Sequence, residues 1–179
     1  MERPMMVYVT SSDATDAQTR KLEDVCFPDE RVAIGSKFFN TIKVTAGDAQ
    51  QDRLLAKYGK SEPRIVLVNR DYSVAAVVEG KGISSGKLVK AMAKAAKKDY
   101  KDSFDTMVSK YAKLLNELDR LEGEKALAAD ALNRAGDNKA KIKKAKRKQA
   151  QYEKDFAKWQ KAEEKLLTFR LKTLKKPKV

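Results

Sequence analysis

The chain has 179 residues, carries a net charge of +14, and is 36% charged against a globular average of about 25%; it has one cysteine and no histidine. That inventory excludes an intrachain disulfide, His/Cys zinc or copper sites, histidine acid–base catalysis, and the Ser-His-Asp and Cys-His nucleophile arrangements. The charge is uneven: residues 1–96 sum to +3 and residues 97–179 to +11, and the second stretch is the Ala/Lys/Glu/Leu-rich text of long helices.

Met5 to Thr10 is apolar and β-branched and predicts a central strand, followed by a loop, Ser11-Ser12-Asp13, rich in helix-capping residues. A helix is expected from Thr15 to Phe27 with Leu22, Val25 and Cys26 facing inward, ended by Pro28. Asp29 to Lys37 reads as a second short helical piece with Val32 and Ala33 inward, and Phe38 to Thr45 as a strand. Ala49 to Tyr58 is expected to be helical, with Leu54, Leu55 and Tyr58 as its stripe and Gly59 as the residue that ends it. After Arg64 come four consecutive aliphatic residues, Ile65 to Val68. They are too few for a buried helix and rich in β-branching, so they predict a strand covered on both faces. Pro63 stands just ahead of it, where a missing N–H costs no ladder bond. Asn69-Arg70-Asp71 supplies a turn, and Tyr72 to Glu79 returns antiparallel. Gly80-Lys81-Gly82 is a loop, and Ser84 or Ser85 caps a helix whose stripe is Leu88, Val89, Met92 and Ala96.

That helix is read as continuing without interruption past Tyr100. Phe104, Met107, Tyr111, Leu114, Leu118 and Leu121 then form a heptad seam, which thins through Lys125, Ala128 and Leu132. Gly136-Asp137-Asn138 is a helix–helix turn, and a second helix is expected from Asn138 to Lys175, closed by Pro177. Its seam is Ile142, Ala145, Gln149, Tyr152, Phe156, Trp159, Glu163, Leu166 and Arg170. Folded antiparallel about Gly136, the hairpin sets Phe156 near Asn116, Trp159 near Lys113 and Leu114, and Phe169 near Ser103 and Phe104. The expectation is a globular head with a stalk on the order of 50 Å long. Tyr152, Phe156 and Trp159 are read as hairpin core, with an open partner-binding stripe as the rival.

The order strand, helix, strand, helix, strand, strand, helix, with a proline heading the third strand, resembles the thioredoxin fold. Local text is similar too: Thr19-Arg20-Lys21-Leu22-Glu23-Asp24-Val25-Cys26-Phe27, then Asp29 to Ala33, Phe38-Phe39, Ile42-Lys43-Val44, Leu55-Ala56-Lys57-Tyr58-Gly59, Pro63, Gly80 and Leu88. The resemblance covers roughly residues 5–98. It implies an α/β thioredoxin-like domain over 1–98, a central mixed sheet of about four strands flanked by helices; the seam spacing and the turn near 136–138 separately predict a long antiparallel helical hairpin (coiled coil) over 99–179. The family's CxxC pair sits at the mouth of the first helix, where the helix N-terminus activates the thiol. That slot falls on Ala14-Thr15-Asp16-Ala17 by spacing from the first strand, or on Asp16-Ala17-Gln18-Thr19 by the Lys-Leu-Glu text. Neither holds a cysteine, so thiol–disulfide exchange has no attacking thiolate there. Cys26 reads as a buried small hydrophobe, with a peroxidatic or mixed-disulfide role as the rival. What the resemblance leaves is a groove for extended polypeptide beside Pro63, lined by Ser11, Ser12, Asp13, Asp16 and Glu62.

The most basic run of the chain lies beside the hairpin turn: Lys139, Lys141, Lys143, Lys144, Lys146, Arg147 and Lys148. Three readings compete: a solvated helix surface, a contact for nucleic-acid backbone, and a contact for an acidic protein or membrane. No large apolar face accompanies the lysines, which weighs against membrane insertion. The expected function is that of a non-catalytic adaptor or complex subunit without cofactor or metal. Its partners are expected to be proteins, with self-association through the hairpin left open; the alternative is a nucleic-acid- or ribosome-associated factor. No stretch is long and apolar enough for a transmembrane helix, and Met1-Glu2-Arg3-Pro4 opens no signal segment, so a cytoplasmic location is expected.

Overall fold

Four strands form one mixed sheet in a computed structural model that describes residues 2–13, 16–168 and 171–173. The strands are β1 (Met5–Val9), β2 (Asn40–Val44), β3 (Arg64–Val68) and β4 (Val74–Glu79), in the order β2-β1-β3-β4. β1 runs parallel to β2, with Val7 opposite Ile42, and antiparallel to β3, with Val7 opposite Val66. β3 and β4 form the antiparallel hairpin, irregular at Leu67/Val68. All five residues of β3 are buried, as its unbroken aliphatic text requires. Val7, Val9, Val66 and Val68 pack on one face with Ala49 and Leu55. By strand alternation Met6, Tyr8, Ile65 and Leu67 point to the other.

The helices are α1 (α-helical over Ala17–Arg20, π-helical over Lys21–Cys26), α2 (Glu30–Ser36), α3 (Ala46–Gln51), α4 (Ser85–Asp99), α5 (Phe104–Asn133) and α6 (Lys139–Thr168). Several expected features change, each for a local reason. In α1 the Phe27 N–H donates to the Leu22 carbonyl at 2.9 Å, five residues back. This wider turn keeps Leu22 and Cys26 aligned and rotates Val25 outward, so Val25 is 60% exposed rather than inward-facing. In α2 it is Val32, Ile34 and Gly35 that are buried, and Ala33 is exposed. A Cβ on Gly35 would stand 2.5 Å from the Phe104 ring, so this helix needs its glycine for close approach.

α3 begins earlier and ends earlier than expected. Thr45 accepts the Asp48 N–H at 3.1 Å and caps the helix start. At the other end the Asp52 carboxylate takes the N–H groups of Leu54 and Leu55 at 2.9 and 2.8 Å, and the Asp52 backbone leaves helical geometry. Phe38 and Phe39 are buried in a turn ahead of β2 and are not part of the strand.

The helix expected to run past Tyr100 stops at Asp99. Tyr100 is extended and buried, its hydroxyl donating to the Phe38 carbonyl at 2.5 Å, and it bridges Leu171. Ser103 then accepts the Thr106 N–H and restarts the chain as α5. α4 packs on β3, β4 and α2.

The chain divides into two compact units. One takes in the sheet and the described residues through Val108, with 171–173; the other runs from Ser109 to the described end of α6. In the second unit α5 and α6 are antiparallel, turning at Gly136 with φ +50°, and the Trp159 indole N–H donates to the Leu114 carbonyl at 2.6 Å. That is the expected register. Tyr111 donates to Glu163, and burial raises its pKa well above the ordinary phenol value, aided by the bond to that carboxylate. Buried residues near the turn are alanines (Ala128, Ala135, Ala145), whereas Tyr111, Leu121, Trp159 and Leu166 fill the other half. The expectations on Phe169, Arg170, Lys175 and Pro177 lie outside the described residues.

Candidate functional site

Two regions were expected to carry function, and each is built by a short local arrangement. Beside β3 the Glu62–Pro63 bond is cis and Pro63 is buried. The Ser12 N–H donates to the Glu62 carboxylate at 3.3 Å, which brings the loop after β1 next to the head of β3. The Asp13 N–H donates to the Ser11 hydroxyl at 3.1 Å. Asp16 caps α1, accepting the Thr19 N–H at 2.8 Å and its hydroxyl at 3.3 Å. The loop and Glu62 are therefore together, and Asp16 is committed to its helix. Ala14 and Thr15 lie outside the described residues, while Asp16-Ala17-Gln18-Thr19 forms the mouth of α1. Cys26 is buried and unpaired to another thiol.

Arg64, at the head of β3, is a buried charge that sequence reading passed over. Its Nη2 donates to the Leu55 carbonyl at 3.3 Å, and it stands opposite Glu79, which accepts the N–H groups of Lys60 and Ser61 at 2.7 and 2.9 Å. Folding the hairpin evenly about Asn69–Asp71 would set Arg64 across from Ala76; the observed register, shifted at Leu67/Val68, sets it across from Glu79, a cross-strand pair of opposite charge that the sequence did not announce.

At the start of α6, Lys139, Lys141, Lys143, Lys144, Lys146, Arg147 and Lys148 are all exposed. None has an ion-pair partner among the described residues, as is also true of exposed lysines elsewhere such as Lys90 and Lys94; what sets the run apart is its density, with no carboxylate from 139 to 148. At 100° per residue they spread over both flanks and the outer face of the helix, leaving only the seam of Ile142, Ala145 and Gln149 free of charge. Asn138 sets the geometry by accepting the Lys141 N–H at 3.1 Å.

The aromatics of α6 are engaged with one another and with α5. Tyr152 and Phe156 stack at 5.7 Å, Phe156 and Trp159 at 5.8 Å, and the Lys125 ammonium lies 5.2 Å from the Tyr152 ring. Trp159 is 8% exposed. Among the described residues there is no cluster of acidic and cysteine side chains able to hold a metal, and no helix long and apolar enough to cross a membrane. No family model matches the chain, and no curated protein or solved structure matches it either.

Proposed function

We propose that the chain is a non-catalytic adaptor, a thioredoxin-like domain without its thiols joined to a basic antiparallel coiled coil that holds a polyanion. The observation that carries the reading is the density of charge at the start of α6: seven exposed cations within residues 139–148 and no carboxylate among them. Self-neutralised surface charge pairs at i, i+4, as Arg120 does with Glu124. Here no carboxylate lies within the run to pair with it, and phosphate backbone is the partner that takes concentrated cations without demanding sequence contacts. The thioredoxin-like reading of the sheet unit is supported by the order β2-β1-β3-β4, the parallel β1/β2 pair, the antiparallel β3/β4 hairpin and Pro63 at the head of β3. The absence of cysteine from Asp16-Ala17-Gln18-Thr19 supports a binding role over redox chemistry.

The test is binding of the full chain to a labelled blunt duplex at low salt, expected with a Kd of about 1–10 μM. Replacing all seven of Lys139, Lys141, Lys143, Lys144, Lys146, Arg147 and Lys148 with Gln is expected to weaken it about tenfold or more. Micromolar binding unchanged by those substitutions sinks the basic run as the contact.

A second reading, peptide binding beside Pro63, is favoured by the Ser12–Glu62 hydrogen bond that holds the loop against that proline. A peptide-array signal indifferent to Glu62→Lys and Ser12→Trp counts against it.

A further inference from the structure

Near the turn the two long helices enclose a cleft lined by Ala131 and Arg134 of α5 and by Lys141, Lys144, Ala145 and Lys148 of α6. The three lysines, at i, i+3 and i+7, share one flank of α6. Lys139, Lys143 and Lys146 fall on the other. Asp130 holds Nη2 of Arg134 at 2.7 Å, which orients the guanidinium while leaving its other nitrogens as donors. The alanines keep the floor low, Ala145 being buried beneath the lysines. The residues lining the cleft include no carboxylate, and Asp130, next to Ala131 in the chain, is already paired with Arg134.

The ligand class follows from what is missing near the turn. Between Tyr111 and Tyr152 the chain has no aromatic residue. Tyr152, Phe156 and Trp159 are spent on each other, on Lys125 and on Leu114. Single strands are held largely by stacking bases on aromatic rings, whereas a duplex keeps its bases stacked inside and offers phosphates outward. We propose that this cleft seats phosphates of one strand of a nucleic-acid duplex, Lys141, Lys144 and Lys148 lining its path and Arg134, its charge shared with Asp130, adding its remaining N–H groups. The inference rests on the polyanion reading above and sharpens it to one flank of α6 and to double-stranded ligand.

The experiment measures fluorescence anisotropy of the full chain with a blunt DNA duplex and with one of its single strands, over a salt series. Two variants lose the same charge: Lys141→Gln/Lys144→Gln/Lys148→Gln in the cleft, and Lys139→Gln/Lys143→Gln/Lys146→Gln opposite. Far-ultraviolet circular dichroism checks that both keep their helix. A third, Ala131→Phe, fills the cleft without changing charge, so a loss of helix in either triple leaves a deciding measurement. The cleft triple is expected to bind duplex about tenfold more weakly than the opposite triple and to lower the log–log salt slope by about 2.7, three phosphate contacts' worth. Ala131→Phe is expected to weaken binding roughly fivefold, and the single strand to bind at least that much more weakly than duplex. Equal weakening by the two triples, an Ala131→Phe variant that binds normally, or equal affinity for single strand each overturns the cleft. Tighter binding to phosphatidylglycerol vesicles than to duplex overturns the ligand class. A wild-type chain that binds no duplex at all removes the polyanion reading itself, a result distinct from these.

Discussion

β3 buries all five of its residues, whereas α6, six times as long, buries Ala145, Trp159 and Leu166 among its described side chains. The sheet unit spends its sequence on a packed interior and the helical pair spends it on surface. The difference teaches where each kind of substitution is felt. Removing atoms from a close-packed interior costs both transfer energy and the cavity left behind, while exchanging solvated side chains costs little. A segment with little buried volume near its turn is free to vary its charge, which is where the seven cations stand.

The comparison breaks first if the sheet proves tolerant. Leu67→Ala, at a fully buried position of β3, is expected to cost about 3 kcal/mol in urea unfolding. A loss below about 1 kcal/mol would mean that β3 is not the centre of the sheet unit's stability. In the aromatic half of the helical pair the expected effect is smaller. Trp159→Phe removes the hydrogen bond to the Leu114 carbonyl but keeps the stacking, at a cost of about 1 kcal/mol.

At the start of α6 the four substitutions Lys143→Gln, Lys144→Gln, Lys146→Gln and Arg147→Gln are expected to shift stability by no more than about 0.5 kcal/mol in either direction. Destabilisation by more than about 1 kcal/mol would show that those side chains belong to the packing of the pair.

The smallest effect is electrostatic. Lys98 and Ser73 donate to Asp71 and hold its pKa down to about 2. Because the folded value lies below the unfolded one, the stability this pair contributes is present above the ordinary carboxylate range and is lost as pH falls toward 2. Both partners are half exposed, so the contribution is minor and is best read as a titration midpoint by NMR. Lys98→Met is expected to return that midpoint upward, and an unmoved midpoint would remove Lys98 as the cause.

Much of the sheet unit was legible because its signals are local. Ile65 to Val68 can only be a covered strand, Pro63 marks its head, and Ser84 marks the start of α4 by accepting the Lys87 N–H. What failed were places where a polar side chain competes for the backbone. Asp52 cut α3 short, and Ser103 with the buried Tyr100 interrupted a helix that the apolar pattern carries straight through. The outward turn of Val25 follows from one five-residue hydrogen bond that no periodicity announces. The basic run was visible as composition, but its cleft was not. Arg134 precedes the turn at Gly136 and the lysines follow it, and only the antiparallel return of α6 brings them together.

The most direct measurement of the central claim is the salt dependence of duplex binding by the unaltered full chain. If the unpaired cations at the start of α6 meet phosphates, the logarithm of the association constant falls linearly with the logarithm of salt concentration, with a slope of about −4 or steeper. A measurable affinity that stays flat as salt rises would contradict the account.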